Sequence, residues 1–231
     1  MPTVQVNDIN LYYEVHGTGT PLVLIGGLAN DLSESEALIH PLAAQRQVIA
    51  FDNRGAGRSD KPDQSYSIEQ MAGDAAGLLR ALGIARADVL GISMGGRIAL
   101  DLALAHPEQV NRLILVSTSA RIQPRPWWFG LSKLLASSPL FQSKYPQPRY
   151  AFLRQLRASS AYDRTARLGE IHAPTLILHG RRDKIAPYAL AQEMRAGIAG
   201  SRLVAFDGGH LFFLFRERRR FLDTAAQFLD G

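Results

Sequence analysis

Val89-Leu90-Gly91-Ile92-Ser93-Met94-Gly95-Gly96-Arg97-Ile98-Ala99-Leu100 is the stretch that decides the fold. Residues 89–92 are apolar without alternation, the pattern of a strand covered on both faces. Residues 94–105 are rich in Ala and Leu and stop before His106-Pro107, which reads as a helix. Between them the chain must turn so sharply at Ser93 that its neighbours two residues away have no room for a Cβ, and both are glycine, Gly91 and Gly95. The turn holds Ser93 in a strained conformation. Its hydroxyl projects at a helix N-terminus, where developing negative charge is favoured.

Outward from this unit the same alternation continues. Leu22-Val23-Leu24-Ile25, Val48-Ile49-Ala50-Phe51, Leu113-Ile114-Leu115-Val116, Leu176-Ile177-Leu178 and Leu203-Val204-Ala205-Phe206 are further apolar runs. Helical patterns cover 68–82, ending before Gly83, as well as 188–196 and 215–229. Strand and helix in alternation give an α/β chain, a parallel sheet with helices on both faces. Residues 3–6 and 11–15 alternate around Asn7-Asp8-Ile9-Asn10 and predict an antiparallel opening hairpin. Residues 118–172 break the rhythm: no strand is expected, prolines recur, and aromatics cluster at Trp127-Trp128-Phe129. The expected division is a core of 1–117 and 173–231 and a lid insertion over 118–172.

With 231 residues, 46% of them hydrophobic and 20% charged, the chain suits one large domain with a sizeable core. It has no cysteine, which excludes disulfides, thiolate metal sites and a cysteine nucleophile. A reducing cytoplasm is the expected location. The N-terminus lacks the pattern of a secretory signal, and no apolar run approaches the roughly 20 residues of a membrane span. The net charge of +5 is unevenly spread. Residues 121–167 hold nine basic residues and one acid, Asp163, a net of +8 that leaves −3 for the rest. Basicity confined to one insertion argues against a nucleic-acid partner. It acts either as a steering field for anionic substrates or as a solvated surface.

A serine hydroxyl needs a base, and the base needs an orienting acid. Asp183, in Gly180-Arg181-Arg182-Asp183, follows the strand at 176–178. His210, in Gly208-Gly209-His210, follows the strand at 203–206. The ends of parallel strands are where ligands gather in open α/β sheets. The order Ser, Asp, His is one of the known triad orders. The other five histidines have plainer places: His16 at the first turn, His40 before Pro41, His106 at a helix end, His172 at the insertion's exit, and His179 buried at a strand end with a backbone partner. Asp207 competes with Asp183 as the acid, but three residues before His210 it is set to point elsewhere. Oxyanion donors are expected from the backbone N–H of Met94 and from Gly26-Gly27-Leu28, with Leu28 preferred. Phe51-Asp52-Asn53-Arg54-Gly55-Ala56-Gly57-Arg58-Ser59-Asp60 is a fourth signature, in which an Asp52–Arg54 pair is expected to pin the loop.

These ordered motifs resemble the α/β-hydrolase superfamily nearly end to end outside the insertion, and within it the carboxylesterases, the 3-oxoadipate enol-lactonases and the cofactor-free haloperoxidases. The resemblance implies a mostly parallel eight-stranded sheet flanked by helices, with a short helical lid. It also implies Ser93 as nucleophile, Asp183 as acid, His210 as base, Leu28 and Met94 as oxyanion donors, and no metal or organic cofactor. The implied activity is cleavage of a small-molecule carboxylic ester or lactone through an acyl-serine. Perhydrolase or haloperoxidase activity, thioesterase activity and a hydrolase-like receptor are the alternatives. Where many relatives have His-Gly in the oxyanion loop this chain has Gly26-Gly27, which leaves the support of that loop open. Serine rather than aspartate at the elbow argues against the dehalogenase and epoxide hydrolase branches. Trp127, Trp128 and Leu131 are candidate pocket residues; with Phe129, Leu134 and Leu135 they line an acyl pocket or form the core of the lid itself.

Overall fold

Alternate residues of the inner strands sort into two separate apolar layers. Val23, Ile25, Ile49, Val89, Leu113, Leu115 and Ile177 face one layer, and Leu22, Leu24, Val48, Ala50, Leu90, Ile114, Val116, Leu176 and Leu178 the other. A strand apolar on both faces is the signature of a sheet covered on both sides. The computed structural model describes residues 2–123 and 144–231.

Eight strands make one sheet: β1 (Thr3–Val6), β2 (Ile9–His16), β3 (Pro21–Ile25), β4 (Gln47–Phe51), β5 (Ala87–Ile92), β6 (Val110–Val116), β7 (Thr175–Gly180) and β8 (Arg202–Phe206). Their order is β1-β2-β4-β3-β5-β6-β7-β8. The β1/β2 hairpin and the β2/β4 pair are antiparallel, and every other pair is parallel. Helices α2 (Ile68–Ala81), α3 (Met94–Ala105) and α5 (Tyr188–Gly197) pack on the first layer, and α1 (Glu36–Ala43) and α6 (Arg218–Asp230) on the second. Helix α4 (Arg149–Ser160) lies in the insertion between β6 and β7. No helix among the described residues is long and apolar enough to cross a membrane.

The strand and helix assignments agree with the sequence pattern except that β2 opens at Ile9, inside the expected connection, and that the last helix starts late. It begins at Arg218, because Phe212–Leu214 form a separate 3-10 turn. Phe212 and Phe213 turn inward there, where Phe212 stacks on Phe206 at 4.4 Å and Phe213 meets Phe221 at 5.7 Å. Burying two phenylalanines outweighs one more helical turn.

The expected pair between Asp52 and Arg54 does not form. Arg54 is 1% exposed and reaches the opening hairpin and α2 instead. Its Nε and Nη2 donate to Asp74 at 2.9 Å each, and Nη1 and Nη2 donate to Asp8 at 3.0 and 2.7 Å. Asp52 accepts from the N–H of Leu32 at 2.8 Å and of Arg58 at 2.7 Å. The carboxylate thus satisfies backbone donors of two loops, while two other carboxylates neutralise the guanidinium. The pairing holds the Asp8 carboxyl down at about 2, with the Arg54 hydrogen bond as the main cause, whereas burial pushes Asp74 up. Removing one partner of a buried pair leaves a charge without compensation. Arg54→Met should therefore destabilise the fold by about 3–5 kcal/mol. Urea unfolding would measure this, and Arg54→Met/Asp74→Leu should recover part of the loss.

Candidate active site

The turn between β5 and α3 brings the chain back on itself. A Cβ on Gly91 would lie 2.4 Å from the carbonyl oxygen of Gly95, and one on Gly95 would lie 2.2 Å from that of Ile25 and 2.5 Å from that of Gly26. The second approach does more than tighten a turn, because it presses the start of α3 against the loop after β3. Ser93 takes φ 55°, a left-handed conformation that costs a non-glycine residue about 1–3 kcal/mol. Neighbouring bonds hold it there: its N–H donates to Val116 O at 2.9 Å, and Thr118 Oγ1 donates to its carbonyl at 2.6 Å.

The structure brings Ser93, His210 and Asp183 together. Ser93 O–H donates to His210 Nε2 at 3.0 Å, and His210 Nδ1–H donates to Asp183 Oδ2 at 2.8 Å. The tautomer follows from the carboxylate, which only accepts. The Asp183 side chain is fully buried, and its Oδ1 accepts from the N–H groups of Ile185 (2.8 Å) and Ala186 (2.9 Å). The His210 side chain keeps 13% exposure on the cavity side. Ser117 Oγ donates to the carbonyl of His210 at 2.7 Å and so fixes the loop that carries the ring.

His179 is buried, and its Nε2–H donates to Ala186 O at 2.7 Å, the backbone partner expected of it. Burial lowers its pKa, which favours the neutral ring. It braces the 183–186 turn that Asp183 also grips.

A cavity of about 330 Å³ opens beside Ser93. Leu28, Met94 and His210 line it from the core, and Phe152 and Leu156 from α4. Met94 is the first residue of α3, so its N–H has no intrahelical acceptor. Leu28 N–H donates to no described residue. Among the described residues both preferred donors are thus uncommitted at the cavity wall. Trp127, Trp128 and Leu131 lie outside the described residues.

Sequence reasoning missed the residues that support the Gly26-Gly27-Leu28 loop. Asn53 Nδ2 donates to Gly26 O at 3.0 Å. Gln155 on α4 accepts from Ala29 N–H at 3.0 Å and donates to Arg54 O at 2.7 Å while fully buried. The signal for Gln155 was its position: Ala151, Gln155, Ala158 and Ser159 share the buried face of α4, so two polar groups sit where the helical period calls for apolar ones. Gln155→Met would leave Ala29 N–H and Arg54 O buried without partners, at about 1–3 kcal/mol each. The expected outcome is a lower thermal midpoint with faster amide exchange at Ala29, and unchanged exchange there would contradict the bracing role.

The family model described as alpha/beta hydrolase fold matches residues 20–150. A protein of Azorhizobium caulinodans provisionally named as the carbamate hydrolase RutD is 33% identical, with 92% of each chain covered. Among solved structures, the enol-lactonase from Burkholderia xenovorans LB400 matches with a TM-score of 0.87 at 28% identity over 100% of both chains. An esterase from Exiguobacterium antarcticum matches with a TM-score of 0.87 at 26% identity over 99% of both chains. Fold, motif order and sequence relationship agree: the chain belongs to the α/β-hydrolase family.

Proposed function

We propose that the protein is a serine hydrolase that cleaves a carboxylic ester or lactone through an acyl-serine intermediate. The observation that carries this reading is the continuous chain of hydrogen bonds from Ser93 Oγ through the His210 ring to Asp183, beside two uncommitted backbone donors. The esterase and enol-lactonase neighbours support the substrate class.

In the acylation step Ser93 Oγ attacks the carbonyl carbon as His210 Nε2 takes its proton. Charge developing on the carbonyl oxygen is met by Leu28 and Met94 N–H, each donor worth about 2.7–4 kcal/mol in comparable sites. Imidazolium then protonates the departing alcohol oxygen and the acyl carbon–oxygen bond breaks. Water, deprotonated by the same nitrogen, attacks the acyl-serine, and Ser93 regains its proton as the acid leaves. Asp183 stays a carboxylate throughout, fixing the ring's tautomer and stabilising its charged form.

Residues 118–172 are proposed to act as the lid. Phe152 and Leu156 from that insertion close one side of the cavity over Ser93 and supply an apolar wall for the acyl chain.

Ser93→Ala should abolish turnover of p-nitrophenyl butyrate and of a γ-lactone panel, while Asp183→Asn should lower kcat by about 10⁴-fold with the fold intact. Retention of the wild-type rate by Ser93→Ala would refute the nucleophile. The relationship to the provisionally named carbamate hydrolase makes an aryl carbamate a useful third substrate in the same panel.

A further inference from the structure

We propose that Arg97 is an anion-recognition residue in the cavity beside Ser93, and that the substrate's acyl part carries a carboxylate or a comparable small acidic group. This deepens the serine hydrolase reading and rests on it for the identity of the reacting bond.

Arg97 follows Ser93 by four residues on α3, one helical turn and about 6 Å along the axis, on the same face. It lines the cavity and is only 6% exposed. Its Nη1 donates to Ser159 Oγ and its Nη2 to Ser119 Oγ at 3.2 Å, both neutral hydroxyls. Its Nε is buried without a partner among the described residues. At least three of the five guanidinium N–H groups are therefore uncommitted among the described residues.

The other two buried arginines among the described residues are treated differently. Arg54 has Asp8 and Asp74, and Arg46 has Asp88 at 3.6 Å together with Asp230. Arg97 pairs with no carboxylate among the described residues. The acid one turn further along α3, Asp101, is held by Arg164 at 2.9 Å and by Tyr162 at 3.1 Å. Burial pushes the Arg97 guanidinium down to about 10, which still leaves it a cation at neutral pH. A buried cation without a counter-charge is strongly unfavourable unless a ligand supplies one.

Two other charged residues line the cavity, Lys184 and Glu34. Glu34 sits at the exposed rim, where Asn30 Nδ2 and the N–H of Asp31 donate to its carboxylate. Its carboxylate is thus engaged by neighbouring donors, and among the described residues no ion pair joins it to Arg97. A planar, bidentate carboxylate is the anion that a guanidinium fork matches best. The substrate class is thus a half-ester of a short dicarboxylic acid, or a lactone bearing a carboxylate. Water is the only co-reactant: a half-ester yields an alcohol and a dicarboxylate, and a lactone bearing a carboxylate opens to a single hydroxy-dicarboxylate.

Steady-state kinetics on monomethyl succinate, glutarate and adipate, each against its neutral counterpart methyl butyrate, valerate or hexanoate, would test this. Wild type should favour at least one half-ester over its counterpart by about tenfold or more in kcat/KM. Arg97→Met should reduce that ratio by about 100-fold, mainly through KM for the half-ester, and Arg97→Lys should fall between. Equal use of the paired esters by wild type, or a ratio unchanged in Arg97→Met, would overturn the proposal. Calorimetric titration of Ser93→Ala with glutarate reads binding without chemistry. Binding that is lost in Ser93→Ala/Arg97→Met supports Arg97 even if no ester is cleaved. Ester cleavage with no Arg97-dependent glutarate binding overturns the anion site and leaves the hydrolase reading standing.

Discussion

Close backbone contact between the start of α3 and the loop after β3 is the constraint on which the rest of this site depends. Gly95 lies against the carbonyls of Ile25 and Gly26 with no space for a side chain. That contact sets the turn at Ser93 and the Gly26-Gly27-Leu28 loop at a fixed separation before any side chain is considered. The strain held at Ser93 is offset by burial of the sheet beneath it, and the hydroxyl needs no rearrangement to meet His210. Preorganisation of this kind is what makes backbone dipoles effective at a reacting centre.

Charge placement around the site follows a second logic. Three basic residues of the insertion dock it on the core: Arg121 pairs with Glu193, Arg154 with Asp63, and Arg164 with both Asp101 and Glu69. The described part of the positive insertion is thereby tied to the core, with each exposed pair contributing little alone. Part of the positive charge counted from composition is paired at these contacts. The cation that matters for a ligand is the buried one without a counter-ion, and it lies on the core helix.

The turn at Ser93 and the meeting of Ser93, His210 and Asp183 were legible in the sequence because each is announced locally, by glycines and by the end of an apolar strand. The sheet was legible for the same reason, since strands such as 113–116 are apolar on both faces. What escaped was long-range. Arg54 was expected to pair with Asp52, two residues away, yet its partners Asp8 and Asp74 lie 46 and 20 residues distant in sequence. Asn53 and Gln155 hold the loop at Gly26–Ala29, and nothing near Gly26-Gly27 in the sequence names them. Arg97 stood in plain view beside the motif. Its meaning came only from the carboxylates it lacks, which no local pattern records.

A reactive organophosphonate, followed by mass spectrometry of the intact chain and its peptides, tests the central claim most directly. Serine attack driven by His210 predicts a single adduct per chain, on the peptide containing Ser93, forming at a rate that collapses in His210→Ala. Labelling at another residue, or equal labelling of Ser93 with and without the imidazole, would contradict the account.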